Sequence, residues 1–424
     1  MDPDASEPQS PPDPKVPRAA LLAVLVSALG YFVDIYDLVL FSILRVPSLR
    51  ALGVAPGALT DLGGTLLNVQ LAGMLLGGLA FGVLGDKKGR LTVLFGSILL
   101  YSLANLANAF VQTVPQYAVL RFVAGFGLAG ELGAGVTLVS ELLGRRQRGL
   151  GTTLVASVGL SGAMVAGSLA EFLFRRYGAE GWRVAYGVGG VLGLVLLVLR
   201  VGVLESGLFQ RAREGAAPRG DLGQLLRPWS RCLRFLRVVC VGMPIWYVGG
   251  VLFVFAPELG RALGLREPVT GAKTILWAYT GVVLGDVLSG LLSQRTRSRK
   301  RVLGAFLVAL AVTVTALLTL GGRSLGTFYA LMALVGVSTG YWVVFVTTAS
   351  EQFGTNLRAT VTTSAPNFVR GTAIPVTLLW FALKPALGVL PATLCVGYGC
   401  IAVGLLALRG MRESFDNDLD FLEE

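Results

Sequence analysis

A chain of 424 residues in which 54% are hydrophobic and 14% charged falls outside the mixture typical of water-soluble globular domains. Its mean hydropathy of +0.70 and its 56 glycines suit packed membrane helices, where small side chains let backbones approach. The net charge of +11 includes no histidine, so any proton carrier here has to be a carboxylate, and the absence of a His, metal-ligand or nucleophile pattern argues against an enzyme.

Residues 1–18 are rich in proline and acidic groups and lack a basic start and cleavage site, which predicts a disordered cytoplasmic tail. Apolar runs long enough to cross about 30 Å of hydrocarbon at about 1.5 Å per residue then follow. The predicted spans are 19–46, 62–84, 91–112, 115–141, 150–174, 183–204, 232–257, 271–293, 302–320, 325–350, 359–383 and 386–408. An Arg-rich stretch, 205–231, divides them into an N-terminal six-helix bundle (19–204) and a C-terminal one (232–408), and 409–424 reads as an acidic cytoplasmic tail. The seventh span holds Pro244, and the eleventh holds Pro366, Arg370 and Pro375. Cys232, Cys240, Cys395 and Cys400 lie in or beside predicted helices without metal-ligand spacing and read as packing residues. No cofactor is implied.

The chain repeats itself at half its length. Glu141-Leu-Leu-Gly144, followed by Arg148-Gly149, returns as Glu351-Gln-Phe-Gly354, followed by Arg358-Ala359, and Gly82-Val-Leu-Gly85-Asp86 returns as Gly290-Leu-Leu-Ser293-Gln294. Self-similarity of this kind in a hydrophobic chain predicts two membrane-embedded repeats that alternately open a midplane site. Fold class is therefore expected to be an all-α membrane protein of twelve transmembrane helices in two pseudo-symmetric bundles.

Basic residues set the orientation. Lys87, Lys88, Arg90, Arg145, Arg146, Arg148, Arg211, Arg213, Arg219, Arg227 and the cluster from Arg295 to Arg301 fall on one side, which places both termini in the cytoplasm of a multi-pass inner-membrane protein. The same asymmetry accounts for the net charge through topology and anionic lipid, without nucleic acid.

Charges inside the spans mark candidate function, because each costs about 2.5–3.5 kcal/mol at a helix centre unless paired, hydrated or neutralised. Asp34 and Asp37 lie in the first span, Arg121 and Glu131 in the fourth, and Arg370 in the eleventh. Asp34 and Asp37, three residues apart, share one helix face. Asp37 at roughly 14 Å from the outer helix end and Arg121 at roughly 9 Å are the best match in depth, with Glu131 roughly 24 Å down. Two neighbouring carboxylates raise one pKa and an Arg lowers it, so a proton is exchangeable for a salt bridge. Asp34, Asp37, Arg121 and Glu131 are thus the expected proton-coupling group. At the cytoplasmic turns Asp86, Arg90, Glu141 and Arg148 are expected to latch a gate, with Glu351 and Arg358 as a second-half echo weakened by Gln294 in the place of Asp86.

These residues also carry a family resemblance. The turn Gly85-Asp86-Lys-Lys-Gly89-Arg90 resembles the signature loop of the major facilitator superfamily, and Arg121-Phe-Val-Ala-Gly125-Phe-Gly127 through Gly130-Glu131 resembles the fourth-helix pattern of its metabolite:proton symporters. Asp34-Ile-Tyr36-Asp37 is similar to the first-helix motif of that group and of aromatic-acid:proton symporters, and a first-helix Asp with a fourth-helix Arg is shared with sugar porters. The resemblance spans about residues 19–408. It implies the major facilitator fold, rocking between outward-open and inward-open states, with Asp37 and Arg121 as the coupling pair. Leu204-Glu205-Ser206-Gly207 lacks the prolines of the sugar-porter sequence, which argues against a sugar.

Arg370, roughly 17 Å from its helix end, favours a carboxylate by bidentate pairing. In the empty state it is expected to be held by Glu131 or Asp34. Asn367 one turn away and the aromatics Trp246, Tyr247, Tyr341 and Trp342 complete the expected substrate pocket, with some of the aromatics serving as packing instead. The expected activity is proton-coupled symport of a small organic anion or zwitterionic metabolite by a protein functional as a monomer. A proton-driven exporter and a non-transporting receptor on the same scaffold are the alternatives.

Overall fold

The computed structural model describes residues 18–88, 90–130, 145–204, 227 and 229–415. The N-terminal half comprises α1 (Arg18–Ala51), α2 (Leu59–Lys88), α3 (Arg90–Asn108), α4 (Val114–Leu128), α5 (Arg145–Tyr177) and α6 (Gly181–Leu204). The C-terminal half begins with α7 (Trp229–Tyr247), which runs through π-helical turns at Val248–Phe253 into the short α8 (Ala256–Ala262). It continues with α9 (Gly271–Thr296), α10 (Arg299–Leu320), α11 (Leu325–Thr339), α12 (Trp342–Glu351), α13 (Thr355–Gly371), α14 (Ala373–Leu387) and α15 (Val389–Arg409). Strands are absent among the described residues.

These helices lie along the twelve predicted spans, because α7 with α8, α11 with α12, and α13 with α14 are broken segments of single crossings. Among the described residues, eight helical segments are long and apolar enough to cross a membrane. Single side chains set several starts: Thr113 accepts from the N–H of Gln116 to open α4, Thr270 from Lys273 to open α9, and Ser324 from Thr327 to open α11. Gly53 (φ 79) just beyond α1 and Gly388 (φ 83) between α14 and α15 adopt backbone that only glycine enters without strain.

The repeat seen in the sequence is a packing rule in three dimensions. A Cβ on Gly73 or Gly77 would collide with the carbonyl oxygens of Phe122 and Phe126, so α2 meets α4 backbone to backbone. In the other half, a Cβ on Gly281 or Gly285 would collide with those of Ala333 and Val337, and α9 meets α11 in the same way. Each of these C-terminal glycines follows its N-terminal counterpart at the 208-residue offset of the second sequence repeat. The two bundles face each other through α1 and α5 against α9, and α2 against α13 and α14.

Candidate substrate site and gates

A cavity of about 100 Å³ lies between the bundles, with walls drawn from α1, α2 and α5 on one side and α7, α9, α11, α12 and α13 on the other. Its surface is mainly apolar, from residues such as Leu67, Leu160, Ile245, Phe253 and Ile275. Four aromatics, Tyr31, Trp246, Tyr279 and Trp342, add flat faces, and Gln70 and Arg370 add polar groups. Gly249 and Gly250, in the π-helical turns, bring bare backbone to the wall; such turns are frequent at functional sites.

Arg370 sits in the last turn of α13, immediately before the break to α14, with Pro366 and Pro375 on either side in the sequence. Its Nη2 lies 3.6 Å from Oδ2 of Asp34, with both side chains almost fully buried, and its Cζ stands 5.8 Å from the ring centre of Trp246. The pair joins α1 of one bundle to α13 of the other. Removing one member of such a pair strands a buried charge at a cost of about 3–5 kcal/mol.

Asp37 and Arg121 occupy a different place, a compartment inside the N-terminal bundle. The Arg121 guanidinium carbon lies 5.4 Å from the ring centres of both Phe41 and Tyr186, a spacing within cation–π range. Asp37 presses on α6, where a Cβ on Gly189 would stand 2.7 Å from its Oδ1. Tyr186 closes the compartment through a 2.5 Å hydrogen bond between its hydroxyl and that of Tyr117.

Of the residues expected to bind substrate, Arg370, Trp246 and Trp342 line the cavity. Tyr247, Tyr341 and Asn367 are not among the residues that line it. The Tyr247 hydroxyl donates to the carbonyl of Thr393 at 2.8 Å, that of Tyr341 donates to Val241 at 3.1 Å, and both rings are fully buried inside the C-terminal bundle. Asn367 faces α2, its amide 3.2 Å from where a Cβ of Gly78 would lie.

At the end of the molecule where α1 passes into α2, the bundles are tied together. Arg45 Nη2 lies 2.8 and 2.7 Å from the two carboxylate oxygens of Glu258 and 3.0 Å from the carbonyl of Val254, and its guanidinium covers the ring of Phe255 at 4.7 Å. Thr60 donates to Glu258 at 3.1 Å. Asp61 pairs with Lys384 at 3.0 Å, and Thr377 donates to Asn68 at 2.7 Å. Sequence reasoning misses Arg45 and Glu258, although Arg45 is a charge within the first predicted span and Glu258 is one residue beyond the seventh.

Glu131 and Glu141 lie outside the described residues, as do the side chains of Asp86, Arg90 and Arg148. In the second half Glu351 pairs with Arg299 at 3.2 Å and accepts from Ser414 at 2.7 Å, while Arg358 lies on the first turn of α13. Glu413 accepts from Ser298 and from the N–H groups of Arg299 and Phe415. Partial burial works to raise its pKa, but these hydrogen bonds outweigh it and hold the carboxyl below the usual range.

The sequence model of the Major Facilitator Superfamily matches residues 20–389. The chain belongs to the major facilitator superfamily. A probable 4-methylmuconolactone transporter of Cupriavidus pinatubonensis is 29% identical over 340 residues, covering 78% of this chain and 76% of the relative. The 4-hydroxybenzoate transporter PcaK of Pseudomonas putida is 30% identical over 304 residues, covering 64% of this chain and 65% of the relative. The inward-open structure of the xylose transporter XylE from Escherichia coli superposes with a TM-score of 0.71 at 16% identity, covering 94% of this chain and 98% of XylE. The protein is thus a multi-pass membrane transporter of the major facilitator fold, not an enzyme.

Proposed function

We propose that this major facilitator protein is a proton-coupled symporter of small organic anions, and that its substrate is a carboxylate carried on a ring or another flat apolar body. The observation that supports this reading above all is Arg370 on the wall of an otherwise apolar, aromatic-sided cavity, paired behind that wall with the buried Asp34. Charge balance supplies the coupling. With Asp34 ionised and Arg370 charged the pair is neutral, and an anion entering alone would add an uncompensated charge in a low-dielectric space. Protonation of Asp34 releases the guanidinium to take the substrate carboxylate in bidentate fashion, so one proton and one anion enter together. Trp246 and Trp342 offer faces for a flat substrate body.

Asp37, Arg121 and Glu131 complete the proton route in this reading, and Asp86, Arg90, Glu141, Arg148, Glu351 and Arg358 latch the cytoplasmic end. Arg45 and Glu258 latch the outer end. The protein acts as a monomer in the inner membrane with both termini in the cytoplasm. The relatives' names point the same way, since 4-hydroxybenzoate is a carboxylate on a flat ring and 4-methylmuconolactone is a small ring compound.

The test is flux into proteoliposomes with an imposed pH gradient, using benzoate-type acids. Asp34→Asn is expected to retain counterflow but to lose gradient-driven accumulation. Arg370→Ala should weaken substrate binding by about 10- to 100-fold, corresponding to the loss of a charged hydrogen bond. Undiminished accumulation by Asp34→Asn overturns the coupling assignment, and efflux alone under an inward proton gradient favours the exporter.

A further inference from the structure

Asp286 lies in the middle of α9 and has no part in the pairs described above. We propose that Asp286 is a second proton-binding residue, one that sets the bend of the tenth span and with it the position of Trp342 on the cavity wall.

The placement comes from the glycine seam between α9 and α11. At its end the tenth span breaks: α11 stops at Thr339, Gly340 adopts ψ 62 and Tyr341 ψ 18, and α12 starts at Trp342. A Cβ on Gly340 would stand 2.5 Å from the carbonyl oxygen of Val282 and 2.6 Å from the backbone nitrogen of Asp286, so the break is pressed onto this turn of α9. The opening N–H groups of α12 have no carbonyl of their own helix to meet. The Val343 N–H donates to Oδ1 of Asp286 at 3.3 Å, which makes this carboxylate the acceptor that seats α12.

The other oxygen is what points to a proton. Asp286 is 7% exposed; the Trp342 N–H also addresses its carboxylate, yet Oδ2 makes no hydrogen bond of ordinary geometry and no ion pair among the described residues. Charged groups around it are few. Tyr31 of α1 is within electrostatic range of Asp286 and also of Asp34, Arg370 and Tyr279. α11 carries no charged residue, α10 and α12 carry theirs only at 299–301 and 351, at the far end of the bundle, and the described charged side chains of α5, which also packs on α9, are Glu171, Arg175 and Arg176, with Glu171 3.9 Å from Lys273 at the start of α9. An ionised carboxylate is costly to bury unless it is paired, and a bound proton removes that charge. Ionised, Asp286 complements the positive end of α12; protonated, it accepts more weakly and its hold on α12 relaxes. Trp342 is the first residue of α12 and faces the cavity, so the change is transmitted to the substrate wall.

The consequence for transport rests on reading the cavity as the substrate site, whereas the test is made without substrate and stands apart from that reading. Tryptophan emission of purified protein in nanodiscs is recorded from acidic to weakly alkaline pH, and subtraction of W342F isolates Trp342 from the other tryptophans. Wild type and D34N are expected to show a sigmoidal shift of Trp342 emission, D286E the same shift with a displaced midpoint, and D286N none. A flat wild-type profile, or an undisturbed shift in D286N, overturns the proposal. Should D286N fail to purify as a monodisperse species, D286E decides: a midpoint equal to that of wild type rejects the assignment.

Discussion

Arg121 and Arg370 are both buried guanidinium groups in apolar spans, yet they are built into the molecule differently. Arg370, on the wall of the cavity, meets the buried Asp34 across the boundary between the bundles. Arg121 stands over Phe41 and Tyr186 inside one bundle, with Asp37 packed against Gly189 nearby. A charge pair that spans two bodies has to be made and broken as they tilt, and its energy enters the equilibrium between open states. A charge compartment within one body moves as a unit and holds charge without being pulled apart. Under the proposed function the two places suit different tasks, substrate exchange at Arg370 and proton binding on Asp37 in the compartment of Arg121.

The largest expected effect separates these tasks. Asp37→Asn should abolish accumulation driven by a pH gradient and spare counterflow, while leaving substrate affinity within about twofold of wild type, because Asp37 does not line the cavity. Affinity is read by scintillation proximity or calorimetry on purified protein, and accumulation by flux. Loss of affinity comparable with that of Arg370→Ala would merge the two sites and break the comparison.

The next effect concerns the other pair that crosses the boundary. Glu258→Gln leaves Arg45 buried without its counter-charge, at a cost of about 3–5 kcal/mol to the closed end where α1 passes into α2. Opening of that end is the available relief. Ser42 lines the cavity beneath it, so a Ser42→Cys reporter should be labelled from that end at least about tenfold faster in the Glu258→Gln background, each decade requiring ~1.4 kcal/mol. Unchanged labelling would show that Arg45 and Glu258 stabilise the fold without gating it.

Much of the architecture is legible in the sequence, because span length, the half-length repeat and the small-residue seams all report the same arrangement. Gly73 and Gly77 against Gly281 and Gly285 express the repeat directly as helix packing. The site is legible in part. Charges in apolar spans flag Asp34 and Arg370, and the pairing of Arg370 with Asp34 is one of the two partners the sequence leaves open. The same rule applies to Asp286, an Asp inside the span 271–293, and to Arg45 at the end of the first span; both carry the signal and neither is singled out by it. Which aromatic faces the cavity is beyond the sequence for a geometric reason. Trp246 with Tyr247, and Tyr341 with Trp342, are adjacent pairs, and neighbours on a helix point about 100° apart. Composition favours neither member, and only the packing of α7 on α15 and of α12 on α9 decides.

The smallest expected effect tests that last distinction. Tyr247 is fully buried and donates to the carbonyl of Thr393 at 2.8 Å, and its hydroxyl would lie 2.5 Å from a Cβ on Gly397, so the ring wedges α7 against α15. Tyr247→Phe keeps the ring and removes only the donor, which should lower stability by about 1 kcal/mol through the stranded carbonyl. Substrate affinity should stay unchanged, since the hydroxyl is bonded to Thr393 within the C-terminal bundle and Tyr247 does not line the cavity. Thermal unfolding in detergent reads the first quantity and ligand binding the second. A fall in affinity with no loss of stability would move Tyr247 back to the cavity wall and make the turn after Pro244, not the α7–α15 seam, the feature that orients it.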